Sequence, residues 1–138
     1  MAKAKEINEI TINGKEYPIK FGLRFIRELD KIYNIDEKGL RFGVGLTVIA
    51  QRLAMLDVTV IPTIIKLALS KEDSKNITME MLDEWVENQD DLGALCENFI
   101  IKLETSKATK PQMDKMKAEM KAQLKEQEKK EKELKQQK

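Results

Sequence analysis

Between Ile10 and Phe21 the apolar side chains fall mostly on alternate positions, and after Gly22 they fall three or four apart. Alternation is the rhythm of extended chain, whose side chains point to two faces in turn. The wider spacing is the rhythm of a helix. Ile10 and Ile12 share one face of a first strand, and Tyr17, Ile19 and Phe21 share one face of a second. Asn13-Gly14 between them supplies two residues that tolerate positive φ, as a type I′ turn requires, so the stretch predicts a β-hairpin. Pro18 has no N–H for the ladder, which puts the second strand at an edge. Two strands alone are marginal in water, so the hairpin must lie on something.

That support is predicted to be helical. Phe25, Ile26, Leu29, Ile32 and Tyr33 form one stripe of a helix that ends in a loop at Asn34, Asp36 and Gly39. The segment "RFGVG", Arg41 to Gly45, reads as a second flexible patch leading into a helix striped by Leu46, Ile49, Leu53 and Leu56. The run "VTVIPTIIKLALS" is the most apolar in the chain and predicts a buried central helix over Ile61–Ser70. Pro62 suits its first turn, where a missing N–H costs nothing. "KEDSKN" reads as a loop. Thr78 is the expected N-cap of a fourth helix, with Glu80 favouring its positive end and Leu82, Trp85 and Val86 turned inward. Asn88 to Asp91 break and recap the chain before a fifth helix, striped by Leu92, Leu95, Cys96, Phe99, Ile100 and Leu103.

After the polar stretch Thr105–Pro111 the pattern changes. Residues 111–138 contain no aromatic or β-branched side chain, and their large apolar residues are Met113, Met116, Met120, Leu124 and Leu134. Glu126–Lys130, Glu128–Lys132 and Glu131–Lys135 are spaced to support a helix by roughly 0.2–0.5 kcal/mol each. The segment has little to bury, so it is expected outside the core, exposed and fraying toward its end. The reading is thus a mainly α fold with a small N-terminal β-hairpin, a globular body of about five helices and an extended charged C-terminal helix. Its divisions are a body over 1–105, a linker over 106–110 and a tail over 111–138, partly helical or disordered.

Composition narrows the function. The 138 residues hold 25 Lys+Arg and 24 Asp+Glu, a net charge of +1 that argues against electrostatic capture of nucleic acid by the whole molecule. Residues 111–138 hold 9 Lys and 6 acids, so the tail stands near +3 and the body near −2. The tail lysines alternate with glutamates and no aromatic interleaves them, unlike a base-stacking surface. A single Cys96 forms no intramolecular disulfide and requires no oxidising compartment. No secretory leader is legible in "MAKAKEINE" and no apolar run has membrane-spanning length, so the expectation is a soluble, cytoplasmic chain without a membrane partner.

Chemistry is scarce. The absence of histidine removes the commonest general base and metal ligand. The acid pairs Glu72-Asp73, Asp83-Glu84 and Asp90-Asp91 diverge on a helix and read as caps or solvated faces. "FGVG" lacks the residues of a phosphate loop. Cys96 and Trp85 read as packing, the latter in the core or at an interface rim. No catalytic, metal or cofactor site is assigned, and an enzyme is not expected. Met113, Met116 and Met120, at i, i+3, i+7, make an adaptable apolar strip that suits partner binding and equally suits docking back on the body.

The residues Gly14, Lys15, Tyr17, Phe21, Gly22, Phe25, Arg27, Glu28, Leu29 and Asp30 resemble the N-terminal signature of the tail assembly chaperones of long-tailed bacteriophages and prophages of Gram-positive bacteria. The resemblance covers residues 6 to about 105, and the tail matches in composition. It implies a non-enzymatic assembly factor that coats the tape measure protein, keeps it soluble while tube subunits polymerise, and is absent from the finished particle. It further implies the tail tube protein and a longer, frameshifted form of the chain as companions, this chain being the short form; self-association stays open. Two other readings stand beside it: a small nucleic-acid-binding regulator using the tail, and a virion structural or connector protein.

Overall fold

The computed structural model describes residues 7–136. The leader-free reading of the first residues and the fraying of the last two fall outside this range. Strands β1 (Glu9–Ile12) and β2 (Lys15–Pro18) form the expected antiparallel hairpin, with Ile12 opposite Lys15. Asn13 and Gly14 take φ of 53° and 79°, the two positive values a type I′ turn requires. Ile10, Ile12, Ile19 and Phe21 are buried against the helices. Phe21 stacks on Phe25 at 4.3 Å between ring centroids and lies 6.3 Å from Phe99, joining the end of the hairpin to the first helix and to one near the C-terminus.

Helix α1 (Leu23–Ile32) starts at Gly22 and buries Phe25 and Leu29. The predicted loop after it is a second antiparallel hairpin, β3 (Asn34–Glu37) and β4 (Leu40–Gly43). Its turn residues Lys38 and Gly39, at φ 54° and 79°, repeat the geometry of the first turn. Lysine at the first turn position hid the signal, because a side chain there opposes the left-handed backbone that Asn or Gly adopts readily.

The "RFGVG" patch is not slack either. Gly43 ends β4 and Gly45 opens α2 (Gly45–Ala54), and both lie against α1. A Cβ on Gly43 would meet the Asp30 side chain at 2.1 Å, and one on Gly45 would meet the Leu29 Cβ at 2.6 Å and its carbonyl carbon at 2.8 Å. This close approach lets Asp30 Oδ1 accept from the Gly45 N–H at 3.0 Å, capping α2 from a neighbouring helix. Leu56, expected in the α2 stripe, lies beyond the helix at φ 61° and is exposed. The chain turns back there, with the Asp57 N–H donating to the Arg52 carbonyl.

A 3₁₀ turn (Val58–Val60) leads into α3 (Ile61–Ala68), with Pro62 in its first turn and Ile61, Ile64 and Ile65 fully buried. The predicted "KEDSKN" loop is a short helix, α4 (Lys71–Asn76). Ser70 caps it by accepting from the Asp73 N–H at 3.0 Å, and Glu72 and Asp73 sit in its first turn. Lys66 of α3 donates to the carbonyls of Ser74 and Ile77 beyond it. Thr78 caps α5 (Met79–Glu87) and Asp91 caps α6 (Leu92–Thr105), as their positions predict.

The core gathers these faces into one cluster that includes Leu29, Ile49, Leu53, Ile64, Ile65, Leu82, Cys96, Phe99 and Leu103. Lys102 is buried with them. Its Nζ donates to Asn8 Oδ1 at 3.2 Å and lies 5.5 Å from the centre of the Phe21 ring, so a charged group clasps the first hairpin to α6. After a turn in which the buried Thr109 hydroxyl donates to the Leu103 carbonyl, α7 runs from Lys110 to Gln136. Contrary to the expected exclusion of this helix from the core, Met113 is 5% exposed and belongs to the cluster. The short turn at residues 106–109 leaves the first turns of α7 against α6, where an unbranched apolar side chain fills the gap.

The α1–α2 approach yields a stability prediction. Gly45→Ala should lower the free energy of unfolding in urea by about 1–3 kcal/mol, because the backbone of Leu29 must move. Asp30→Ala, which removes the borrowed cap, should cost about 0.5–2 kcal/mol by the same measurement.

Candidate partner-binding surface

Several residues of the N-terminal signature are structural. Gly14 makes the turn, Phe21, Phe25 and Leu29 are core, and Asp30 caps α2. Lys31 donates to Glu28 at 3.0 Å, and this hydrogen bond with its positive charge holds the Glu28 carboxyl below its ordinary value. No group of three or more His, Cys, Asp or Glu side chains that could hold a metal occurs among the described residues. Cys96 is buried, and loss of hydration, with the nearby Asp57 charge, raises its thiol pKa. What distinguishes the exterior is exposed apolar surface.

The second hairpin carries most of that character. Ile35 lies opposite Phe42 and Glu37 opposite Leu40, so strand alternation puts Ile35, Leu40 and Phe42 on one face together with Glu37. The other face holds Asn34, Asp36, Arg41 and Gly43. At its root this polar face meets the body. Asn34 Nδ2 donates to the carbonyls of Asp30 and Lys31, and Gly43 lies against the Asp30 side chain. The apolar face is left uncovered, with Ile35 49%, Leu40 63% and Phe42 47% exposed, and Asp36 and Arg41 farther along the polar face are exposed as well. A hairpin folded for its own stability would be turned the other way. Its strands also lack further neighbours in a sheet, which leaves ladder groups open at both edges.

The methionine strip divides. Met113 is buried in the core, Met116 is half-buried against it, and Met120 is exposed. Lys117 pairs with Glu104 of α6, and from residue 118 onward every described side chain of α7 is exposed. Met120, Leu124 and Leu134 stand on this projecting part. Sequence reasoning found the strip but missed the outward hairpin face, although Ile35, Leu40 and Phe42 around Lys38-Gly39 carry a weak alternating signal.

Charge is also sorted. Between Lys75 and Lys102 there are seven acids and no base, and all seven acids are exposed. Such a surface disfavours nucleic acid over that part of the body. No helix among the described residues is long and apolar enough to cross a membrane.

A well-packed helical body, a bare apolar hairpin face and a projecting helix are what the described residues present to their surroundings. A family model of the phage tail assembly chaperone protein matches residues 9–117, and the chain belongs to that family. Neither a curated protein nor a solved structure matches it. The matched range takes in both hairpins and the first six helices, and it ends at Lys117, the residue where α7 makes its ion pair with the body. Membership points to a non-enzymatic role among tail proteins.

Burial of the lone thiol gives a check on the packing around α6. Cys96 should react with iodoacetamide at least about tenfold more slowly in the native protein than in urea, since the thiolate is the attacking form and burial suppresses it.

Proposed function

We propose that this chain binds the tape measure protein in the host bacterial cytoplasm, keeps it soluble while the tail tube assembles, and is absent from the mature particle. The observation that carries this reading is the outward apolar face of Ile35, Leu40 and Phe42. A long helical protein not yet enclosed by its tube exposes an apolar stripe that would aggregate. A small apolar face on a stable body can cover one short length of such a helix, and many copies can cover the whole. Each contact is small, so the coat can be displaced as tube subunits arrive. The tail tube protein and a longer, frameshifted form of the chain are the proposed companions in this assembly.

The methionine strip is the proposed second contact. Met113 and Met116 root α7, and Met120 offers an adaptable side chain to a helix lying along the hairpin or beside it. Membership in a tail assembly chaperone family supports this reading over a nucleic-acid-binding regulator, as does the acidic body surface.

Co-expression with the cognate tape measure protein tests it. The wild-type chain should raise the soluble fraction of that protein and co-purify with it. Ile35→Lys with Phe42→Glu, which keeps an opposite-charge pair at these facing positions of the hairpin, should abolish both effects with an unchanged circular dichroism spectrum. Failure of the wild-type chain to solubilise or co-purify would sink the proposal. Undiminished action by the double variant would remove the hairpin face from it.

A further inference from the structure

The projecting part of α7 has a lysine-rich face, and Lys121, Lys125, Lys132 and Lys135 take part in none of the ion pairs among the described residues. Lys117, Lys121, Lys125, Lys132 and Lys135 fall within an arc of about 80° at 3.6 residues per turn, interrupted by Glu128. Lys117 already pairs with Glu104, so this face begins as part of the α6–α7 contact and then runs past the body. The helix is unbroken from its buried root at Met113, which carries the remaining lysines into solvent over roughly 28 Å beyond residue 117. Glu119, Glu126 and Glu133 lie on the opposite side, so the lysine face can approach a surface without bringing them along.

The body carries the complement. Glu80, Asp83, Glu84 and Glu87 on α5 are spaced i, i+3, i+4, i+7, which is one stripe of the helix. All four are exposed, and none forms an ion pair with a described residue. Like charges at these spacings repel, and no base between Lys75 and Lys102 relieves them. The lysine face repeats at four-residue intervals through Lys117, Lys121 and Lys125, close to the rise between Glu80, Glu84 and Glu87.

We propose that the lysine face of α7 docks on the acidic stripe of α5 in a second copy of this chain. Within one chain none of these lysines forms an ion pair with an α5 acid among the described residues, which leaves the complementary faces free to meet between copies. The contact joins two different surfaces and is heterologous, closing into a reciprocal pair or ring or continuing as a chain. Exposed ion pairs contribute little singly. Several in register, which also relieve repulsion along α5, give an association that is weak and strongly dependent on salt. This inference does not rest on tape measure binding, since it concerns the chain alone.

Sedimentation equilibrium of the full chain without any partner tests it. In about 0.01 M salt, where the screening length is ~30 Å, species heavier than the monomer should form. In about 1 M salt, where it is ~3 Å, they should dissociate, with affinity down by more than about tenfold. Lys121→Glu with Lys125→Glu should be monomeric at low salt, and so should Glu80→Lys with Glu84→Lys, each with an unchanged circular dichroism spectrum. Mixing the two double variants should restore association, because the reversed α7 of one then fits the reversed α5 of the other. A wild-type chain that is monomeric at low salt overturns the proposal. So does association that survives either reversal, or a mixture that stays monomeric.

Discussion

The stacking of Phe21 between the start of α1 and the inner face of α6 is the contact on which the rest of the fold depends. A two-stranded hairpin has too little surface to hold itself together. Phe21 solves this by leaving β2 and inserting next to Phe25 and Phe99, so residues distant in sequence share one aromatic cluster. Lys102 closes the cluster from α6 with its ammonium over the Phe21 ring and against Asn8. Because Phe99 and Lys102 lie on the same helix, fixing the hairpin also fixes α6. The turn at Thr109 and the root of α7 then follow from α6.

A second constraint sets the middle of the chain. Leu29 and Asp30 occupy space that side chains at Gly43 and Gly45 would need, which brings α2 onto α1 almost backbone to backbone. Asp30 then satisfies an N–H at the start of α2 that Val44 has no side chain to cap. Thus two glycines that look like slack in the sequence are places where a neighbouring helix leaves no room for a side chain, and an acid that looks like surface charge is a cap.

The helices were legible because their signals are local: apolar stripes, the caps Thr78 and Asp91, and Pro62 in a first turn. The family likeness was legible in the residues that pack and cap, from Gly14 to Asp30. The second hairpin and α4 were not legible, for different reasons. The hairpin has lysine where a permissive residue is expected, and it turns its apolar face outward, so burial contributes nothing to its pattern. Helix α4 is one short run of polar residues, held by Ser70 at one end and by Lys66 from α3 at the other. No sequence window shows that distant lysine. The strip of methionines was found, yet only tertiary contact decides that Met113 lies inside and Met120 outside.

The two hairpins share a turn geometry but not a foundation. The first is bolted into the aromatic cluster through Phe21. The second is tied down at its root by Asn34 and Asp30, and beyond that by its own ladder. Its opening is a local event whose cost is a small part of the global stability. Anything that covers Ile35, Leu40 and Phe42 must therefore supply part of the order of the strands it rests on. That discount on affinity shortens the life of each contact: a surface half-built by its partner is also one that lets go easily.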